Sequence, residues 1–141
     1  MLKKLLQGNI VFNSEELSWQ EAVQLSAQPL LDGNLITQYY LEEIIKSVEK
    51  QGFYIVISPD VALPHARFPQ GVKQVCLSLL VSAATIQFGE NPNSKLVFCV
   101  GFVDDTSHME MLQNLAMFLS DEGNLKKLLE AKTESDVLNL L

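Results

Sequence analysis

The chain has 141 residues, a length typical of one domain, residues 1–141, that can bury a core without disulfides or metals. Seventeen acidic and ten basic side chains give a formal net charge of −7, which argues against general nucleic-acid binding because clustered lysine and arginine carry that affinity. Its longest apolar runs are far shorter than the ~20 residues of a membrane helix, so we expect a soluble, cytoplasmic protein without direct membrane insertion.

The first part of the chain predicts one strand and one helix. Residues 10–12, Ile-Val-Phe, form a candidate short strand. Ser18 and Glu21 have the Ser-x-x-Glu spacing of a capping box, in which each side chain bonds the backbone N–H of the other residue. A helix should therefore follow Ser18 and stop near Pro29 and Gly33.

A second helix is predicted to lead into a strand and a loop. Thr37 can cap a helix that ends before Gly52. Residues 53–57, Phe-Tyr-Ile-Val-Ile, are a β-branched and aromatic run, which predicts a buried strand. The turn signal Ser-Pro-Asp at residues 58–60 ends this strand, and His65 is expected on the loop that follows.

Two later apolar runs, residues 75–81 and 95–103, predict interior strands that are covered on both faces. Cys76 and Cys99 lie inside these runs, which favours reduced core thiols over a disulfide. Residues 86–88 form a candidate short strand between them. Strands mixed with helices in this order predict an α/β layered domain with a central sheet covered on both sides.

The last part of the chain predicts three helices. Residues 104–106 are expected to form a loop, and Ser107 with Glu110 has the spacing of a second capping box. His108 would then occupy the first helical position after its cap. Further helices should follow Asp121 and begin near Thr133.

His65 is the candidate nucleophile. Pro64 and Pro69 restrict the backbone around it, so the loop that holds the imidazole is stiff. Ala66 is small enough to leave the ring accessible, and Arg67 carries a planar fork of donors that suits phosphate or carboxylate oxygens. A neutral imidazole, with an ordinary pKa of about 6.5, has a free lone pair that can attack phosphorus.

His108 is the candidate second group of the site. At a helix start, backbone N–H groups lack intrahelical partners and the helix dipole favours an anion, so a phosphoryl group could be received there. His65 and His108 both follow the end of a predicted interior strand. Because strand ends build sites in open α/β sheets, we expect the two histidines to meet.

One motif of the chain reads Ala62-Leu63-Pro64-His65-Ala66-Arg67 and is followed by Gly71-Val72. It resembles the active-site segment of the EIIA components of the bacterial phosphotransferase system, of the mannitol/fructose type. Within that group it is most similar to the ascorbate-type EIIA proteins, since mannitol and fructose forms usually read Pro-His-Gly where this chain has Pro-His-Ala. The similarity extends over nearly the whole chain.

The resemblance implies both a fold and a reaction. It implies a single domain with a mixed central β-sheet flanked by helices on both faces. His65 corresponds to the phosphorylated histidine, and His108 to the second active-site histidine, which helps to bind the phosphoryl group. The resemblance further implies that HPr donates this group and that a cysteine of a cognate EIIB accepts it for a membrane EIIC. It also implies L-ascorbate as the expected substrate of the system and no requirement for a metal or organic cofactor.

The chain departs from the family pattern at one place. Mannitol and fructose EIIA proteins usually carry an Arg-Glu pair before the active-site strand, which the matching residues 45–49, Ile-Lys-Ser-Val-Glu, lack. Arg67 would then provide the charge stabilisation. A regulatory module switched by phosphorylation of His65, or an EIIA for mannitol-, fructose- or galactitol-type sugars, is the alternative function.

Other interpretations of the same residues stay open. Arg67 could be an ordinary surface charge. Asp104 and Asp105, with the two histidines, could hold the metal of a hydrolase, although no local ligand spacing such as His-x-x-x-His supports this. Transfer between proteins also predicts an apolar docking face around His65, to which Phe68 and Val72 could contribute.

Overall fold

The structure is a computed structural model that describes residues 1–66, 70–90 and 93–141. Within these ranges, five strands form one sheet. They are β1 (Ile10–Asn13), β2 (Val56–Ser58), β3 (Asp60–Ala62), β4 (Cys76–Ile86) and β5 (Ser94–Gly101). Their order across the sheet is β1-β4-β5-β3-β2.

The sheet is mixed. β1 runs parallel to β4, and β4 runs antiparallel to β5. β5 runs parallel to β3, which is antiparallel to β2. Every residue of β5 except Lys95 is buried, as expected for an interior strand that is covered on both faces.

Helices cover both faces of this sheet. They are α1 (Leu2–Leu6), α2 (Trp19–Asp32), α3 (Gln38–Gln51), α4 (Asp105–Leu119), α5 (Glu122–Glu130) and α6 (Glu134–Leu138). Side chains of α2 and α3 form one core with Leu80 and Val97. Side chains of the other four helices form a second core with Leu79 and Phe98 on the opposite face. The predicted α/β domain with helices on both faces of a mixed sheet is thus confirmed.

Among the helices of the described residues, none combines the length and the apolar character that crossing a membrane requires.

Several local predictions are confirmed at the ends of helices. Ser18 and Glu21 form both hydrogen bonds of a capping box at the start of α2. Thr37 caps α3 by accepting from the backbone N–H of Tyr40 at 3.4 Å. Pro29 lies inside the last turn of α2, which continues to Asp32 before Gly33 ends it.

The strand predicted over residues 53–57 is shorter and lies further along the chain, because β2 begins only at Val56. Phe53 instead packs edge-to-face on Trp19 and on Phe88, with ring centroids 5.5 and 6.2 Å away. Aromatic packing in the core therefore takes the place of strand pairing before β2.

The strand predicted over residues 86–88 is also wrong. Ile86 is the last residue of β4, and Phe88 is a fully buried core residue outside any strand. β3 was not predicted from the sequence. It is a three-residue strand that forms a hairpin with β2 through the predicted turn.

Candidate active site

His65 lies three residues after the end of β3, at the edge of the sheet where β5 also ends. The loop that carries it stays attached to the sheet on both sides. The Leu63 N–H donates to the Ile55 carbonyl at 2.7 Å, and the Val100 N–H donates to the Pro64 carbonyl at 3.1 Å. The strand pairing of β3 with β5 is thus extended almost to His65, which gives the histidine a fixed base.

One ring nitrogen of His65 is committed to the backbone. Nδ1 lies 2.6 Å from the carbonyl oxygen of Leu63. A carbonyl oxygen can only accept, so Nδ1 must carry the hydrogen of this bond. In the neutral imidazole the lone pair is then on Nε2, so Nε2 is the ring nitrogen that can act as a nucleophile.

Two tyrosines hold consecutive residues of the His65 loop. The Tyr54 hydroxyl donates to the carbonyl of His65 at 2.5 Å. The Tyr40 hydroxyl accepts from the Ala66 N–H at 3.2 Å and donates to the Val100 carbonyl at 2.8 Å. Burial raises the pKa of the Tyr40 phenol far above its ordinary value, so the hydroxyl keeps the proton that it donates.

The structure brings His108 beside His65, as the sequence predicted. The centroids of the two imidazole rings are 5.9 Å apart, and the rings are tilted by 57°. Phe102, which is 7% exposed, stacks on His108 with a centroid distance of 4.3 Å and also meets His65 edge-on at 6.0 Å. The phenyl ring fixes where the His108 ring can lie relative to His65.

The predicted position of His108 in its helix is wrong. α4 begins at Asp105, and its N-cap is Asp104, so residues 105 and 106 are helical rather than part of a loop. His108 is the fourth helical residue, and its N–H already donates to the Asp104 carbonyl at 3.1 Å. Ser107 is the third residue of a capping box with Asp104, not a cap itself. A carboxylate such as that of Asp104 is favoured at the N-cap because it also interacts with the positive end of the helix dipole.

This correction changes how the site could hold an anion. The Ser107 N–H donates to the Asp104 carboxylate at 2.7 Å, and this backbone hydrogen bond lowers the pKa of that carboxyl below its ordinary value. A carboxylate thus already occupies the start of the helix, where the sequence predicted that a phosphoryl group would be received. The ring nitrogens of His108 have no hydrogen-bond partner in the part of the chain that the structure describes, so the ring can offer an N–H donor to a phosphoryl group.

Two predicted contributors to the site, Arg67 and Phe68, lie outside the described residues. Val72, the other residue proposed for a docking face, is half-buried, forms an isolated bridge with Ile36 and packs against the core under α3. Across residues 1–66, 70–90 and 93–141, no three side chains of histidine, cysteine, aspartate or glutamate converge as metal ligands.

Three residues of the site, Tyr40, Tyr54 and Phe102, were not predicted from the sequence. Tyr40 lies in the helix predicted after Thr37, and Tyr54 and Phe102 lie in the apolar runs of predicted strands. The polar ends of the two tyrosines were the available signal, because a buried tyrosine hydroxyl usually has a hydrogen-bond partner.

The chain has known relatives in both sequence and structure. The sequence profile of the family described as "Phosphoenolpyruvate-dependent sugar phosphotransferase system, EIIA 2" matches residues 4–141. The chain is 30% identical to the ascorbate-specific EIIA component of the phosphotransferase system of Escherichia coli K12 over 136 residues, which cover 94% of this chain and 88% of the relative.

Solved structures show the same fold. A mannitol-specific cryptic phosphotransferase enzyme IIA from Escherichia coli is 30% identical and superposes with a TM-score of 0.85 over 99% of this chain and 96% of its own. The Escherichia coli mannitol enzyme IIA, solved in complex with its phosphorylated enzyme IIB, is 17% identical and has a TM-score of 0.81 over 94% of this chain and 93% of its own. The chain belongs to the EIIA 2 family of the phosphoenolpyruvate-dependent sugar phosphotransferase system.

Proposed function

We propose that this EIIA phosphotransferase carries its phosphoryl group on Nε2 of His65. It would accept the group from phospho-HPr and pass it to a cysteine of a cognate EIIB, as the cytoplasmic part of a system for L-ascorbate uptake. The observation that carries the proposal is the hydrogen bond from His65 Nδ1 to the Leu63 carbonyl, which puts the lone pair of the neutral ring on Nε2.

The first step is attack of the Nε2 lone pair on the phosphorus of phosphohistidine in HPr. The new N–P bond forms on His65 while the N–P bond of the donor breaks, and the donor nitrogen keeps that electron pair. The His65 ring gains positive charge as it forms the bond. The Leu63 carbonyl, which accepts from Nδ1, stabilises this charge.

His108 stabilises the group that is transferred. Phosphoryl transfer passes through a loose transition state with negative charge on the peripheral oxygens, so alignment and charge stabilisation are the tasks of the protein. The His108 ring has its centroid 5.9 Å from that of the His65 ring, so it is near enough to interact with those oxygens. Arg67 is proposed as the cationic group that stabilises this charge, on the strength of the sequence motif alone.

The second step returns His65 to its starting state. A cysteine thiolate of EIIB attacks the phosphorus, the S–P bond forms, and the electron pair of the broken N–P bond returns to Nε2. No metal or organic cofactor takes part. The family profile, which spans nearly all of residues 1–141, supports one EIIA domain, and the ascorbate-specific relative supports the choice of substrate.

The experiment is intact-mass measurement after incubation with phosphoenolpyruvate, Enzyme I and HPr. The chain has two histidines, so the double variant His65→Ala/His108→Ala contains none. We expect the wild type to gain one acid-labile phosphoryl group, His65→Ala to gain none, and His108→Ala to gain it more slowly. A full gain by His65→Ala would refute the assignment of the nucleophile.

Transfer from the phosphorylated chain then tests the acceptor. Purified EIIB proteins of the ascorbate and mannitol systems are mixed with it separately, and the loss of its phosphoryl group is followed in time. We expect faster transfer to the ascorbate partner. Transfer to the mannitol partner alone would reject ascorbate, and transfer to neither would favour the regulatory module.

A further inference from the structure

We propose that Tyr54 is a positioning residue for His65. Tyr54 holds the backbone and the imidazole ring of His65 so that Nε2 faces the incoming phosphoryl group. This inference rests on the proposed function, because it assigns a role in the same transfer reaction. Tyr54 precedes β2, whereas His65 follows β3, so the contact closes across the base of the hairpin that these strands form.

Tyr54 makes two separate contacts with His65. Its hydroxyl donates to the His65 carbonyl at 2.5 Å, which fixes the peptide unit that follows the histidine. Its ring meets the imidazole edge-to-face, with centroids 5.5 Å apart and planes at 87°. An edge-to-face aromatic contact has a preferred geometry, so it restricts the plane of the imidazole as well as its position.

The neighbours of Tyr54 in sequence hold it in place. Phe53 packs on the ring of the fully buried Phe88, and Ile55 is itself fully buried. The Ile55 carbonyl also accepts from the N–H of Leu63, the residue whose own carbonyl binds His65 Nδ1. Tyr54 therefore extends from a backbone that is anchored in the core on both sides, although its side chain is 37% exposed.

The contacts around the His65 ring each restrict a different part of its movement. The Leu63 carbonyl fixes the Nδ1 edge of the ring. Tyr54 and Phe102 each meet the ring at a steep angle, 87° and 75° between planes. Without Tyr54 the imidazole loses an aromatic contact and the loop loses a backbone hydrogen bond. A small misplacement of a reacting atom is costly, since an error near 1 Å lowers rates by roughly 100-fold.

The test compares Tyr54→Phe and Tyr54→Ala with Tyr39→Phe, a control at a tyrosine that is 54% exposed on α3. Single-turnover phosphoryl transfer from phospho-HPr is measured for each variant and for the wild type. We expect transfer to be slower by roughly tenfold in Tyr54→Phe and by roughly 100-fold in Tyr54→Ala, with little change in the apparent affinity for phospho-HPr. Tyr39→Phe should transfer at the rate of the wild type.

Nitrogen NMR of the His65 ring provides a readout that a purely structural role would leave unchanged. In the wild type we expect the signature of a protonated Nδ1 and an unprotonated Nε2, and in Tyr54→Ala a mixture of both tautomers. Tyr54→Phe retains the ring contact, so it keeps the experiment informative if Tyr54→Ala fails to fold.

The possible outcomes separate this inference from the proposed function. If the wild type gains no phosphoryl group on His65, the proposed function fails and the positioning role fails with it. If the wild type gains the group but both Tyr54 variants match its rate and its ring signals, only the positioning role is refuted.

Discussion

Replacing Tyr40 with phenylalanine removes one oxygen atom from beneath the His65 loop and changes little else. Tyr40 is fully buried in the core under α3, and its ring would be retained. The hydroxyl accepts from the Ala66 N–H and donates to the Val100 carbonyl, residues that are 26 and 60 positions away in the chain. The substitution therefore tests how much this single group ties the loop to β5.

The expected loss of stability follows from the groups that are left behind. Ala66 is 5% exposed, so its N–H would have no water to replace the lost acceptor. A buried donor without a partner costs roughly 1–3 kcal/mol, whereas shape and apolar burial are preserved by phenylalanine. We therefore expect Tyr40→Phe to lower the free energy of unfolding by about 2 kcal/mol, or the melting temperature by roughly 6–8 °C.

The assay is urea unfolding followed by circular dichroism, with amide hydrogen exchange as a local probe. The matched control is Tyr39→Phe, the same substitution at the preceding and exposed residue, which should change stability by less than ~0.5 kcal/mol. The dependence of stability on urea should stay the same in both variants, because the surface exposed on unfolding is unchanged. The exchange rate of the Ala66 amide should rise in Tyr40→Phe alone.

A loss below ~0.5 kcal/mol with an unchanged exchange rate at Ala66 would refute the reasoning. It would mean that the Ala66 N–H finds another partner at no cost and that the Tyr40 hydroxyl does not hold the loop.

Three further predictions concern the loop after His65, the core thiols and the cap of α4. Gly71→Ala places a methyl group 2.5 Å from a threonine hydroxyl, whereas Gly52→Ala, with φ of +87° against +88°, meets nothing within 4 Å. Urea unfolding should therefore show that Gly71→Ala loses roughly 1–3 kcal/mol more stability than Gly52→Ala. Equal losses in the two variants would show that backbone strain alone, without the steric contact, determines the cost. Burial raises the pKa of Cys76 to about 12, so this thiol should react with a disulfide reagent only as the protein unfolds, and rapid labelling of the native protein would contradict this. Backbone and side-chain hydrogen bonds from Ser107 lower the pKa of Asp104. The ionised carboxylate therefore stabilises the folded protein fully above about pH 4, and this stability is lost as the pH falls through the lowered pKa. In Asp104→Asn the melting temperature should therefore fall less steeply with acidification than in the wild type. An identical pH dependence in both proteins would contradict the stabilising role of the Asp104 carboxylate.

Helix boundaries were predictable from the sequence wherever the cap signal was unambiguous. Ser18, Thr37 and Thr133 each cap the helix predicted for them, because a cap depends on residues only two or three positions away. At α4 two signals overlap, Asp104 with Ser107 and Ser107 with Glu110, and local spacing cannot choose between them. The structure uses the first pair, and this shifts His108 from the first helical residue to the fourth.

The place of the site was predictable, but its internal contacts were not. β3 and β5 are parallel neighbours, so the chain segments that follow them emerge at the same edge of the sheet, and this brings His65 and His108 together. The partners of Tyr40 and Tyr54 are backbone groups far along the chain. No local pattern identifies such partners, because they depend on how the helices and the hairpin pack.

The corrected position of His108 also bears on how easily the phosphoryl group can leave. A helix start would surround the group with several fixed amide donors and hold it tightly. The start of α4 is instead occupied by the Asp104 carboxylate, with the exposed Asp105 next to it. Negative charge beside an incoming phosphoryl group opposes its binding. If His65 carries the phosphoryl group as proposed, we expect a site built from imidazole nitrogens to hold it less tightly than a helix start would, which favours transfer onward over storage.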